Sequence, residues 1–395
     1  MKRYILIALI FNVLSLNAQN AYQSVLDQVE DNSTVLSAYR SQAEAEKAEN
    51  YAGSLFANPE FEAGCLFGIN DGSEHRIDLK INQEFDFPTV YSNKSKIRKL
   101  NNEVIDLEYE IMRNEVCYQV QQICTDLIFN NICLKYHEQC LENAETMEKA
   151  LQRKLEVGEA TVLEYRNAKM NYISVRNEYE MHIVERERLI GELKTLNGGV
   201  DIDFTQDFYD DFSLPEDFES WYQDVEKNNP IFARLNLQND VNQRNIKLTK
   251  SEWAPKLNVG YMMEKESDGG YHGPTIGFSL PFWGNARTVK AAEAKAASGE
   301  ALLENQKAVL YNELLNTYLR AKSLQRNYLE MKDILEDTDS RDLLREAYEK
   351  GEKTLVEYLV EFEYQHDAVL EVFQMQHEYQ RALIDLQRYM IRVVL

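Results

Sequence analysis

Three long stretches of this 395-residue chain contain no helix breaker. No glycine or proline occurs between Pro88 and Gly158, between Gly299 and Gly351, or after Gly351. These stretches are rich in Leu, Glu, Lys, Gln and Ala, which favour helices. A continuous helix over residues 92–154 would be roughly 90 Å long. Such a length exceeds that of an ordinary globular helix and predicts a coiled-coil or helical-barrel element.

Two shorter regions alternate apolar and polar residues and end in turn-forming residues, which predicts two β-hairpins. The residues Asn70-Asp71-Gly72-Ser73 would form the turn of the first hairpin. Each run has about 10 residues, the length of a transmembrane β-strand. The predicted strands span about 59–70, 74–87, 254–265 and 272–282.

If these strands cross a membrane, their two faces have different environments. Asp78, Lys80 and Lys256 would face the lumen. The residues predicted to face lipid are Phe61, Phe67, Ile77, Leu79, Leu257, Val259 and Tyr261. The alternative is a soluble hairpin that packs on one face. Four strands cannot close a membrane barrel, because bacterial barrels begin at about 8 strands, so the chain would have to share a barrel with copies of itself. Three copies would give twelve strands, which is an allowed even number.

Residues 1–18 have the features of a secretory signal peptide. Lys2 and Arg3 precede an apolar run from Tyr4 to Leu16, and the sequence Leu16-Asn17-Ala18 provides a cleavage site. The run is shorter than the about 20 residues that a spanning helix needs. We therefore expect a mature chain that begins near Gln19, outside the inner membrane.

The two halves of the chain resemble each other, which indicates an internal duplication. Pro59 and Pro255 each precede a predicted hairpin. Residues 158–165 and 351–358 are identical at five of eight positions. The seam lies in an acidic stretch between Gly198 and Pro215. The predicted division is a signal peptide at 1–18, a first repeat at 19–212 and a second repeat at 213–395.

The composition excludes some partners. The chain has 66 Asp and Glu against 43 Lys and Arg. This acidity argues against nucleic acid or an anionic membrane surface as a partner. Four of the five cysteines, Cys117, Cys124, Cys133 and Cys140, lie on one predicted helix, at least about 10 Å apart along its axis. That separation is too long for disulfides, and we interpret them as small buried apolar residues rather than metal ligands.

Several ordered motifs are similar to those of the TolC outer-membrane efflux family. They are the signal peptide, the hairpin starts Asn58-Pro59-Glu60 and Ala254-Pro255-Lys256, the strand ends Gln83-Glu84-Phe85 and Ser279-Leu280-Pro281, and two Gly-Glu-x-Thr turns. The resemblance covers nearly the whole mature chain. It implies a mainly α-helical fold with a small β part, as a homotrimer with a helical barrel in the periplasm and a shared twelve-stranded β-barrel in the outer membrane. A periplasmic adaptor and an inner-membrane pump would complete the system.

The two Gly-Glu-x-Thr turns are the first candidate functional sites. Gly158 and Gly351 suit the left-handed conformation that ends a helix. A threonine three residues later would cap the next helix, with a glutamate completing a capping box. These pairs are Thr161 with Glu164, and Thr354 with Glu357. The resemblance implies that the turns form the periplasmic tip where the adaptor docks, whereas the alternative is a purely structural turn.

Glu357 and Glu361 are the second candidate site. They lie one helical turn apart, and the resemblance implies that acidic residues after the second-repeat glycine ring the pore entrance. Stacked acidic rings would select cations, and like-charge repulsion would oppose their full ionisation. The alternative is two solvated helix acids. At the position of Glu361 the family usually has a small residue. The first repeat keeps a small residue there, Ala168.

Enzyme signals are absent from the sequence. It contains no H-E-x-x-H, G-x-S-x-G or P-loop motif, and the six histidines show no close ligand spacing. His366 and His377 are expected to be solvated or packed, so neither a cofactor nor a metal site is predicted. The favoured function is a passive export duct of a tripartite efflux or type I secretion system. The alternatives are a periplasmic adaptor and a coiled-coil protein without a pore.

Overall fold

The computed structural model describes residues 21–53, 56–67, 75–210, 213–266, 268–280, 285–338 and 341–389. The predicted signal peptide and the predicted turn at 70–73 lie outside these ranges. The first half of the chain contains α1 (Ala21–Asn32), α2 (Thr34–Ala52), β1 (Glu60–Phe67), β2 (His75–Phe85), α3 (Pro88–Glu156) and α4 (Val162–Leu196). The second half contains α5 (Phe218–Asn228), α6 (Pro230–Ser251), β3 (Lys256–Glu266), β4 (Gly269–Ser279), α7 (Asn285–Thr338), α8 (Arg341–Glu349) and α9 (Leu355–Gln387).

The same order of elements therefore occurs twice: two helices, then two strands, then two helical segments. The two segments are α3 and α4 in the first half, and α7 with α8 followed by α9 in the second half. Helix α3 has 69 residues, about 100 Å at the α-helical rise. Its counterpart in the second half is described as two helices, α7 and α8. Within the described residues, no helix is both long and apolar enough to cross a membrane.

The chain divides into two compact units, each built from both halves. One unit comprises the described residues 21–38, 112–225 and 311–389, and its main core joins α1, α2, α3 and α4. Apolar side chains at helical spacing on α3 pack there against α1 and the end of α4. The buried core residues are Tyr22, Val25, Val29, Leu36, Val116, Val120, Cys124, Leu127, Ile128, Leu189, Leu193, Ile202 and Phe204.

The other unit, residues 39–111 and 226–310, contains a four-stranded antiparallel sheet in the order β1-β2-β3-β4. Each predicted hairpin is present, and β2 pairs with β3 to join the two hairpins into one sheet. Three Cα pairs show the register across it: Ala63 with Leu79, Leu79 with Met263, and Met263 with His272. The predicted fold class, mainly α-helical with a small β part, is confirmed.

The cysteines on α3 have the buried environment that their spacing predicts. Cys117, Cys124, Cys133 and Cys140 are not disulfide-bonded and have almost no exposed surface. Desolvation raises the pKa of Cys117 and of Cys133 to about 12, so both thiols are neutral and unreactive at neutral pH. Their interpretation as small buried apolar residues is confirmed.

Gly198, which follows α4, is a backbone position that should not tolerate a side chain. Its φ is +63°, and a Cβ atom there would lie 2.2 Å from the carbonyl oxygen of Asn32. We expect Gly198→Ala to lower the free energy of unfolding by about 2–4 kcal/mol. Two effects contribute, the strain of a left-handed alanine and the clash of its Cβ atom with the backbone of Asn32. The matched control is Gly199→Ala, where φ is +88° but nothing lies within 4 Å, so only the strain applies. Equal losses in urea unfolding of the two variants would contradict the clash.

Candidate functional site

One face of the sheet is apolar and exposed. Residues paired across antiparallel strands point to the same face, and the pairs Cys65–Ile77, Ile81–Tyr261 and Leu257–Phe278 therefore continue one face across all four strands. All seven residues predicted to face lipid share it, and the most exposed, Phe61, retains 78% of its surface. The register adds further exposed members that the prediction omitted, which are Ile81, Ile276 and Phe278.

The opposite face is polar and carries the three residues predicted to face a lumen. Arg76 bridges Asp78 at 2.8 Å and Glu264 at 2.7 Å, which ties β2 to β3. Lys256 pairs with Glu84 at 2.7 Å. A third pair, Lys80 with Glu62, is longer at 4.0 Å. The sheet therefore has one face suited to hydrocarbon and one suited to water.

The turn between α3 and α4 combines two capping motifs. Gly158 has φ +80°, its N–H donates to Leu155 O at 3.1 Å, and the N–H of Glu159 donates to Lys154 O at 2.7 Å. This is a Schellman motif, which satisfies the last carbonyl groups of α3. The backbone N–H of Thr161 then donates to Glu164 Oε2 at 2.7 Å, and Glu164 N donates to Thr161 Oγ1 at 3.2 Å. The predicted capping box is confirmed.

The turn between α8 and α9 repeats this geometry. Gly351 has φ +77°, its N–H donates to Tyr348 O at 3.0 Å, and Glu352 N donates to Ala347 O at 2.9 Å. Thr354 N donates to Glu357 Oε2 at 2.8 Å, which completes the second predicted capping box. Because their geometry is set by local residues, the sequence alone could predict both turns.

The structure brings the two turns together. Leu151 and Ala168, which flank the first turn, form a buried cluster with Leu355 at the start of α9. Ala160, Tyr348 and Leu359 pack against this cluster. Other apolar side chains around the turns remain exposed, with Leu163 at 68%. They are Val157, Val162, Leu163, Val356 and Val360.

The acidic residues after the second turn are held by local partners. Hydrogen bonds from the backbone and hydroxyl of Thr354 lower the pKa of Glu357 below its ordinary value. Glu361 forms an ion pair with Lys353. Ala168, which corresponds to Glu361 in the first repeat, is 1% exposed because it packs in the cluster between the turns. The small residue is thus required in the first repeat, whereas the second repeat can hold a charged side chain.

Histidines that are far apart in the sequence lie close together in the structure. The ring of His137 is 5.0 Å from that of His182 and 5.4 Å from that of His366. The sequence offered no signal for this cluster, since its members lie on three helices and share no spacing motif. His377, in contrast, is packed as expected, with Nε2 2.8 Å from Asp126 Oδ1 and its ring stacked on Phe129.

Comparisons with known proteins agree with this geometry. Residues 221–390 match the sequence model of the family described as "Outer membrane efflux protein". The structure of CusC aligns with a TM-score of 0.77 at 15% identity, over 94% of this chain and 92% of CusC. The Campylobacter jejuni CmeC outer membrane channel aligns at 0.72 and 16% identity, over 94% and 85% of the two chains. The open state of the Neisseria gonorrhoeae MtrE outer membrane channel aligns at 0.76 and 14%, over 94% and 89%.

No curated protein shows a significant sequence match to the chain. The aligned structures define the class of the fold, which is that of outer-membrane channels with long helices and a small sheet. The resemblance to the TolC-type outer-membrane efflux family is confirmed, by the family's sequence model over residues 221–390 and by a shared fold over 94% of the chain. The matched family model and the aligned structures are those of outer-membrane channels, which agrees with the prediction that the chain is not an enzyme.

Proposed function

We propose that this chain is a passive export duct of a tripartite efflux or type I secretion system, in the outer membrane with its helices in the periplasm. The observation that carries the proposal is the two-faced sheet. Ten apolar side chains on one face, including Phe61, Val259 and Phe278, are exposed in the single chain. The other face is lined with ion pairs such as Arg76–Glu264. Contact with lipid on one side and water on the other would satisfy both faces.

The same sheet supports a homotrimer. Strands β1 and β4 each have a neighbour on one side only within the described sheet, so both edges have unpaired backbone groups. An open edge cannot remain unpaired in hydrocarbon, where no water replaces the missing hydrogen bonds. Three copies, each contributing four strands, would form a closed twelve-stranded barrel whose outer surface contacts outer-membrane lipid.

Planar bilayer recording of the purified protein tests the duct. We expect a trimer in detergent that gives stable single-channel conductance after reconstitution, without added nucleotide or other energy source. A water-soluble monomer that gives no conductance would contradict both the trimer and the pore. A trimer that is stable but never conducts would favour a coiled-coil protein without a pore.

The exposed apolar residues around the turns support docking of a periplasmic adaptor. Helical partners bind through apolar side chains that fit a groove, and Leu163 and Val356 are both exposed in the first turn of their helices. An inner-membrane pump would complete the system through this adaptor and supply the energy that a duct lacks.

We expect Leu163→Asp and Val356→Asp to reduce co-purification with the adaptor of the same system by at least about tenfold, as for interface hot spots. Aspartate is favourable in the first turn of a helix, so α4 and α9 should remain folded. The control is Met181→Asp on α4, where the side chain is 71% exposed but far along the helix from the turn. Undiminished adaptor binding by both turn variants would leave the turns with a structural role only.

A further inference from the structure

Three potential metal ligands meet between three helices of the same compact unit. They are His137 on α3, Glu178 on α4 and His366 on α9. Glu178 Oε2 lies 3.7 Å from His137 Nδ1 and 3.4 Å from His366 Nε2. The three ligand atoms all lie within 4.8 Å of one another. One carboxylate oxygen therefore faces two imidazole nitrogens that come from different helices.

Two of these atoms are buried without a hydrogen bond. His137 is 1% exposed, and neither its Nδ1 nor Glu178 Oε2 has a hydrogen-bond partner among the described residues. The other carboxylate oxygen of Glu178 accepts from Ser174 Oγ at 3.4 Å. Buried polar atoms nearly always have a partner, because leaving one unsatisfied costs about 1–3 kcal/mol in folded proteins generally. An unsatisfied nitrogen that faces an unsatisfied carboxylate oxygen indicates a missing partner between them.

The surroundings of His366 orient its ring towards this point. Its Nδ1 lies 3.1 Å from the hydroxyl of Tyr136 and 4.0 Å from Cys140 Sγ, on the opposite side of the ring from Glu178. A hydrogen bond at Nδ1 leaves Nε2 as the ligand atom, which is the usual outer-shell arrangement around a metal-binding histidine. Tyr136, Cys140 and Val175 are buried together beside the cluster and exclude water from that side.

The electrostatics of His137 also suit a ligand. Burial, followed by the neighbouring His182 and His366, lowers the pKa of His137 to about 4. The imidazole is therefore neutral at pH 7, which is the form that binds a metal ion. His182 Nδ1 is 2.8 Å from Asn130 Oδ1, and this contact fixes the ring that stacks on His137.

We propose that His137, Glu178 and His366 form a binding site for a divalent transition-metal ion of the Zn²⁺ or Co²⁺ type. Two imidazoles and one carboxylate are the ligand set that such ions accept, whereas Ca²⁺ and Mg²⁺ require oxygen ligands. Ligands at about 2.0–2.1 Å from a tetrahedral ion lie about 3.3–3.4 Å from one another. The observed separations of 3.4 and 3.7 Å are close to that value.

A groove of about 860 Å³ gives the ion a route to the cluster. Its lining includes His137, Glu178 and His182, together with Met181 and Glu185 from the same helix. Because three protein ligands leave a fourth coordination position open, water or a further side chain would complete the shell. Each ligand belongs to a different helix, so bound metal would hold α3, α4 and α9 together. This inference does not depend on the pore, since the three residues are assembled within one chain.

The test uses the full-length mature protein in detergent, without a histidine tag, after metal has been removed with EDTA. Titration with Co²⁺ in the presence of excess Mg²⁺ and salt suppresses weak binding by surface acids. We expect one Co²⁺ per chain, with visible absorption bands of a tetrahedral or five-coordinate site. We also expect displacement by Zn²⁺ and a higher Tm in the metal-bound state.

Glu178→Gln and His366→Gln are expected to weaken Co²⁺ binding by roughly a hundredfold or more, since even outer-shell substitutions cost 10–100-fold. The matched control is His377→Gln, another nearly buried histidine on α9, which should bind Co²⁺ as the unaltered protein does. Circular dichroism checks that each variant is folded. If His366→Gln does not fold, Glu178→Gln decides the question, because part of that side chain is exposed beside the groove.

Two results would overturn the proposal. One is the absence of saturable Co²⁺ binding at one ion per chain. The other is unchanged affinity in the folded Glu178→Gln variant. In either case the contact between Glu178 and His366 would serve only the packing of the helices, with no metal involved.

Discussion

Replacing Val259 by arginine is expected to abolish the folded membrane form of the protein, whereas the same replacement at Asn258 should leave it intact. Val259 lies on the apolar face of the sheet, paired with Gln83 on β2 and Ile276 on β4. Arginine on the lipid face of a barrel costs about 2–4 kcal/mol near the bilayer midplane. In a trimer this penalty applies three times, which is comparable to the whole stability of an ordinary protein domain.

Asn258 is the matched control because it differs from Val259 by one position and points to the opposite face. Its side chain donates to Ser279 Oγ at 3.2 Å, and its neighbour in the register is Glu84. An arginine there would stay in water and gain an acidic neighbour. The measurement is the recovery of trimer from the outer-membrane fraction, followed by urea unfolding in lipid vesicles. If both variants assemble equally well, the sheet does not face lipid.

The success of the sequence in predicting this sheet has a simple physical cause. A period of two places alternate residues on opposite faces, so the alternation of Phe61 and Leu79 with charged residues fixes both the strand and its orientation. Ile276 and Phe278 were missed because β4 contains four glycines and a proline, which weaken the alternation of apolar and polar residues. Their membership became visible only through pairing with β3.

The turns were predictable for a different reason. A Schellman motif followed by a capping box involves residues within about ten positions, so local spacing determines the geometry. The packing of Ala168 against Leu355 lies beyond such reasoning, since it joins helices from different repeats. The same limit applies to His137, Glu178 and His366. Sequence separations of 41 and 188 residues contain no periodic signal, and only the packing of three helices brings these residues together.

Neutralising the two acids that follow the second turn is expected to reduce the cation preference of the channel by roughly a factor of ten at low salt, because three copies of each charge are lost near the permeating ion. The double variant Glu357→Gln/Glu361→Gln is suited to this test. Glutamine can still complete the capping box with Thr354, so the turn should keep its shape. The measurement is the reversal potential in a KCl gradient across a planar bilayer.

Glu164→Gln is the matched control for this pair of substitutions. Glu164 has the same capping role in the first turn, with the same lowering of its pKa by Thr161. Only the second-repeat acids are expected to line the pore entrance, so this variant should keep the cation preference of the unaltered channel. An equal loss in Glu164→Gln would place the selective charge on both turns, and no loss in the double variant would leave Glu357 and Glu361 as ordinary surface acids.

The pH dependence of the cation preference gives an independent test of whether Glu357 lies at the pore entrance. Hydrogen bonds from Thr354 lower the pKa of Glu357, so its carboxylate stays charged at pH values where an ordinary glutamate begins to protonate. The contribution of Glu357 to cation preference should therefore be fully present at neutral pH and disappear as the pH falls through this lowered pKa. Thr354→Ala removes the hydroxyl that bonds to the carboxylate. We expect its loss of selectivity to begin at a higher pH than in the unaltered channel, whereas an unshifted profile would show that Glu357 does not control the selectivity.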